Sequence, residues 1–155
     1  SLYLINSERR LIDVTAKEYI GQISRLESHI NAKKQRIEAM RCMATSVGPN
    51  YSGMPHNPSK SVSPMADAVC KIIDLEEEVR KDEYRLQEKR LFLLELIGQI
   101  ECPDYQTILI KRYVEHFSWE DIARTLFFTK RWVFTLHGRA LLELDNLLKN
   151  APLIP

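Results

Sequence analysis

Apolar residues recur along this chain at helical spacing. Between about Thr15 and Thr45 they fall at Ala16, Tyr19, Ile23, Leu26, Ile30, Ile37, Met40 and Ala44. Steps of three, four and seven make this a heptad pattern, broken at Lys33. Thr15 followed by Glu18 predicts a capping box at its start. A helix of this extent would be about 45 Å long. A second segment runs from about Pro64 to Glu101, with Met65, Ile72, Val79, Leu86, Leu93 and Ile100 at every seventh position. Ala68, Leu75 and Leu96 fill the companion positions, which Asp82 and Lys89 interrupt. Ser63 suits an N-cap and Pro64 the first helical position.

Between these segments lie four of the seven prolines, Pro49, Pro55, Pro58 and Pro64, and two of the five glycines. Proline fixes φ and removes a donor, so residues 46–63 are expected to be a loop. Tyr51, Met54 and His56 are its candidates for partner contact, against the alternative of a structureless linker. Two long helices joined by a loop predict an antiparallel coiled-coil hairpin over residues 1–102. Residues 16–45 carry six basic and three acidic side chains, while residues 65–102 carry six basic and ten acidic. The opposite signs favour pairing, although solvated helix faces would show the same charges. With Thr45 opposite Pro64, Ile30 meets Val79, Ile23 meets Leu86, and Lys33 falls beside Glu76. The N-terminal residues Leu2, Leu4, Ile5, Leu11, Ile12 and Val14 would cover the stretch Leu93 to Ile100.

After Pro103 the pattern shortens into three helices within residues 103–150. Asp104 to His116 presents Tyr105, Ile108, Leu109 and Tyr113 on one face. Ser118 caps a short helix with Asp121 completing a capping box, and Ile122, Ala123 and Leu126 form its buried stripe. A turn follows at Phe127 and Phe128. Thr129 caps the last helix, whose inward stripe is Val133, Leu136 or His137, Ala140, Leu144 and Leu147. Residues 129–139 hold Lys130, Arg131 and Arg139 and no acid. A short helix, a tight turn and a helix with a basic start predict a helix-turn-helix. Such a helix start can enter the major groove, where Arg and Lys match guanine acceptors and Thr serves several bases. The DNA-binding candidates are Ser118, Thr129, Lys130, Arg131, Trp132, Thr135 and Arg139. A solvated basic face is the alternative for the charged ones, and partial burial at a helix junction for Trp132. Trp119 and His137 are read as core residues, His137 with a hydrogen-bond partner.

At Tyr113, Ser118, Glu120, Ile122, Ala123, Leu126, Thr129, Val133, Arg139, Ala140 and Leu144 the chain resembles region four of bacterial sigma factors. The likeness covers about 35 residues. The whole chain is similar to small phage and prophage proteins of Gram-positive bacteria, related to regulators of the ArpU and RinA type. Gly53-Met-Pro-His-Asn-Pro58, Ser63-Pro-Met-Ala-Asp-Ala68, Ile73-Asp-Leu-Glu76 and His137-Gly-Arg-Ala-Leu141 carry that likeness. It implies control of phage late transcription. The chain departs from the sigma pattern at Phe127 and Phe128, where glycine or a small polar residue is common. Trp132 and Phe134 are bulky where small polar residues are usual, so a protein contact is an alternative use of this helix.

The total net charge of +1 reads as weak evidence against nucleic-acid binding. The segments differ from that average: +3 for residues 16–45, −4 for 65–102 and +3 for 129–139. No apolar run reaches the roughly 18 residues of a membrane span. Cys42, Cys70 and Cys102 have no metal spacing with one another or with His29, His56, His116 and His137. Reduced thiols and a cytoplasmic location are expected. Glu76, Glu77 and Glu78 fan around a helix instead of converging, and neither a catalytic constellation nor a cofactor motif is present. The reading is an all-α, non-enzymatic DNA-binding regulator, a homo-oligomer with double-stranded DNA and RNA polymerase as partners. Two other readings stand: an adaptor whose helix-turn-helix does not read DNA, and a phage packaging component resembling a terminase small subunit.

Overall fold

The computed structural model describes residues 14–46, 64–151 and 155. These form helices α1 (Ala16–Ser46), α2 (Pro64–Gly98), α3 (Pro103–Tyr113), α4 (Trp119–Leu126) and α5 (Lys130–Asn150), with no strand among the described residues. The protein is all-α. Leu2 to Ile12, and the loop residues Tyr51, Met54, His56 and Ser63, lie outside the described residues. Of the described residues, 25–46 and 64–86 belong to one compact unit, and 14–24 and 87–151 to another.

In the unit of residues 25–86, Ile30 and Ile37 of α1 and Ile72, Val79 and Leu86 of α2 are buried. All five are heptad positions of the sequence. Ion pairs set the alignment of the two helices. Lys33 Nζ lies 2.9 Å from Asp82 and 3.0 Å from Glu78. Lys34 pairs with Glu83 at 2.6 Å, and Arg41 with Glu76. The expected partner of Lys33 was Glu76, so that register is corrected: the partners of Lys34 and Arg41 lie about one heptad further along α2. The reason is that a seven-residue slide leaves a heptad repeat almost unchanged. The apolar pattern alone cannot distinguish the two alignments. What does is the meeting of two of the charges that interrupt the repeats, Lys33 and Asp82. Hydrogen bonds to Asp82 and then Glu78 hold the Lys33 ammonium above the usual lysine range.

In the other unit, α1 begins with the capping box expected from its sequence. Thr15 N donates to Glu18 Oε2 at 3.0 Å, and Glu18 N donates to Thr15 Oγ1 at 3.2 Å. The Ala16 amide, one of the donors a helix start leaves unpaired, donates to the Asp145 carboxylate of α5. Tyr19 is fully buried, meets Phe92 edge-on at 5.7 Å between centroids, and donates its hydroxyl to the Lys89 carbonyl at 3.2 Å. Burial pushes its pKa up to about 12. Leu93, Leu96, Ile97 and Ile100 are also buried here.

The last three helices enclose Ile108, Ile122, Ala123, Val133 and Leu136, with Tyr105, Trp119, Leu126 and Phe128 packed against them. Helix α3 stops at Tyr113, three residues before the expected His116. His116 takes a left-handed φ of 58°, and Phe117 N returns to the Lys111 carbonyl at 2.8 Å. Ser118 and Thr129 are the N-caps of α4 and α5, accepting from Asp121 N and Trp132 N, both at 3.2 Å. The turn between α4 and α5 is a Schellman motif. Phe128 N donates to the Ala123 carbonyl at 2.9 Å and Phe127 N to Arg124 at 3.4 Å, with Phe127 left-handed at φ 56°. The two phenylalanines separate: Phe128 packs on the core, while Phe127 is 95% exposed. On α5 the buried stripe is Val133, Leu136, Ala140, Leu144 and Leu148. Leu148 takes the place expected for Leu147, since a 3.6-residue period does not separate adjacent leucines at the end of a long stripe.

Two outcomes test this architecture. Lys33→Glu should lower the thermal midpoint, and adding Asp82→Lys should recover most of the loss, whereas Glu76→Lys should not; the reverse pattern of rescue would reject the alignment. Phe127→Gly should stabilise the chain by about 1 kcal/mol in a denaturant titration, because glycine adopts the left-handed conformation without steric cost. A loss of stability would show that the exposed ring makes a contact the fold needs.

Candidate nucleic-acid interface

The expected DNA-binding residues Thr129, Lys130, Arg131, Trp132, Thr135 and Arg139 all lie in the first half of α5 or at its cap. All six are exposed. Burial of Val133, Leu136 and Ala140 turns the opposite side of the helix outward. At about 100° per residue, Arg131, Thr135, Gly138 and Leu142 share one outward arc. Trp132 and Arg139 flank it on one side and Phe134 on the other. No acid occurs in the first turn of α5.

Each side chain has a particular environment. The Thr129 hydroxyl serves as cap acceptor, and the Thr135 hydroxyl donates to the Arg131 carbonyl at 3.1 Å. Lys130 pairs with Glu120 in the first turn of α4 and sits 6.0 Å from the Phe134 ring centroid. That lysine holds the Glu120 carboxyl below the usual range. The Arg139 guanidinium lies over the Trp132 ring, 5.7 Å from its centroid. Trp132 is 43% exposed, its ring partly covered by Arg139. The Arg131 guanidinium has no ion-pair partner among the described residues. Ser118 stands apart from this face at the start of α4. Its hydroxyl donates to the Asp121 carboxylate at 2.6 Å while accepting from the Asp121 amide, so its proton is committed locally.

Sequence reasoning missed two members of this surface. Glu120 reads in sequence as an acid favourable to the helix dipole, and its pairing with Lys130 depends on how the turn folds back. Phe127 reads as a turn residue, and nothing local to it says that Phe128 is the ring that enters the core. A Cβ built at Gly138 meets nothing within 4 Å among the described residues, so no described neighbouring helix requires glycine there.

Comparisons with protein families, curated proteins and solved structures return no match for this chain. Among the described residues, no group of three or more His, Cys, Asp and Glu could hold a metal ion, and no helix is long and apolar enough to cross a membrane.

Behind the interface, His137 anchors α5 to α3 and α4. Its Nε2 is 2.8 Å from the Tyr113 hydroxyl, and Trp119 meets the imidazole edge-on at 4.8 Å. The Arg112 guanidinium covers the other aromatic partner, 4.6 Å from the Trp119 centroid. Burial first, and then the Arg112 charge, lower the His137 pKa from the ordinary 6.5. The unfolded chain therefore takes up a proton near pH 6.5 that the folded chain refuses until lower pH. Stability from this group is complete above that value and is lost as pH falls through the folded pKa. Denaturant midpoints at about pH 8 and about pH 5 should fall with acidity, and His137→Phe should flatten part of that slope. An unchanged slope in the variant would remove His137 as its source.

Proposed function

We propose that this chain is a DNA-binding transcriptional regulator of phage or prophage genes. In this reading α4, the Phe127–Phe128 turn and α5 are a sigma-like helix-turn-helix, and α5 enters the major groove. The observation that carries it is the outward arc of α5, where Arg131, with no ion-pair partner among the described residues, lies with Thr135 beside Arg139 without an intervening acid. Arginine offers a two-pronged donor to guanine or phosphate, and an acid-free helix start does not repel the nucleic-acid backbone. Helices α1 and α2 act as a coiled-coil hairpin that mediates self-association or contact with RNA polymerase. Exposed Met43, Met65, Val69 and Ile73 in the unit of residues 25–86 supply apolar surface for such a role. A single helix-turn-helix covers little DNA, so two copies on two half-sites fit this function.

The exposed rings favour one further reading. Phe127, Trp132 and Phe134 are 95%, 43% and 45% exposed, which suits an adaptor binding protein through the same helix.

Fluorescence anisotropy with a labelled duplex, selected from a random-sequence library on the full chain, tests the proposal. Affinity should fall steeply with added salt as counterions are released. Arg131→Ala should weaken binding by roughly tenfold, about 1.4 kcal/mol, as expected for loss of one good base or phosphate contact. Binding that is insensitive to salt and to Arg131→Ala would leave the adaptor reading in its place.

A further inference from the structure

Gly138 is an exposed glycine in the interior of α5. Nothing among the described residues explains it. None of the described glycines has a positive φ, so the backbone does not call for one. A methyl group at this position would meet no atom of the described residues within 4 Å. Glycine there lowers helix stability relative to alanine and returns no intramolecular contact. The position is nevertheless central to the outward arc: Thr135 lies one turn before it, Arg131 two turns before it and Leu142 one turn after it. Bulkier residues flank it, with Trp132 and Arg139 on one side and Phe134 on the other. Gly138 is thus a notch in a helix face otherwise crowded with large side chains.

We propose that Gly138 is the point of closest approach between α5 and double-stranded DNA, and that it sets how deeply Arg131 and Thr135 reach. The inference rests on the DNA-binding reading above. A helix with side chains is about 10–12 Å across, and the major groove is about 12 Å wide. Trp132 and Phe134 widen the flanks of α5, while the missing side chain at 138 thins its leading face. Removing the side chain at 138 brings the helix backbone against the duplex and carries Arg131 towards base edges. A Cβ at this position holds the helix off.

Gly138→Ala separates this role from a structural one because its two effects have opposite signs. The variant should raise the thermal midpoint by about 2–4 °C. It should also weaken binding to the selected duplex by about tenfold or more, measured by anisotropy beside wild type and Arg131→Ala. If wild type binds and Arg131→Ala weakens it while Gly138→Ala binds as wild type does, the close-approach role is overturned and DNA binding stands. If wild type shows no salt-dependent binding, both readings fall. A lowered midpoint in Gly138→Ala would also overturn the proposal, since it would reveal a need for glycine within the fold.

Discussion

Burial of Val133, Leu136, Ala140, Leu144 and Leu148 fixes the rotation of α5 about its own axis. Fully burying a side chain of this kind contributes about 1.5–3 kcal/mol. Turning the helix by even one residue would expose several of them together. The opposite arc is therefore not free to choose what it presents, and Arg131, Thr135, Gly138 and Leu142 face outward because the apolar stripe faces in. Both ends of the turn reinforce this setting. The Thr129 cap starts α5 and the Schellman closure ends α4, while Trp119 and Tyr113 hold His137 from behind.

Against that rigid background, two positions break local rules in opposite directions. Phe127 occupies a left-handed conformation that glycine adopts without cost, and it is almost wholly in solvent. Gly138 occupies an exposed helical position where alanine is more stable. Local propensity, packing and capping agree at most other positions of these three helices. Departures from such agreement concentrate where a surface serves something other than folding. The reading of α5 as a recognition helix gives Gly138 a use. Phe127, like Trp132 and Phe134 of α5, leaves an aromatic ring exposed.

The pairing of α1 with α2 in residues 25–86 shows a different division of labour. The heptad residues supply apolar burial without choosing among alignments one heptad apart. Lys33 and Asp82 make that choice because these two opposite charges, each interrupting an apolar repeat, meet in this alignment and not in the one a heptad away. Glu78, Glu83 and Glu76 extend the same complementarity to Lys33, Lys34 and Arg41. The near-neutral total charge of the chain arises from these opposed segments and says little about the basic start of α5.

Much of the fold was legible in the sequence, because helical periodicity, proline punctuation and capping residues act over a few neighbours. The five helices, the Thr15–Glu18 box, the Ser118 and Thr129 caps and most of the inward stripe of α5 follow from such short-range rules. Where they failed, the deciding interaction was distant in sequence. The α1–α2 alignment depends on charges 49 residues apart. The choice of Leu148 over Leu147 depends on which face of α5 the surrounding helices cover. At the candidate site the sequence determined which residues are basic and that they begin a helix. Only the tertiary structure decided that Arg131 has no ion-pair partner among the described residues, that Lys130 is paired with Glu120, and that Gly138 stands unobstructed on the outer arc. Spacing records chemistry along one helix, whereas exposure and pairing are set by what packs behind it.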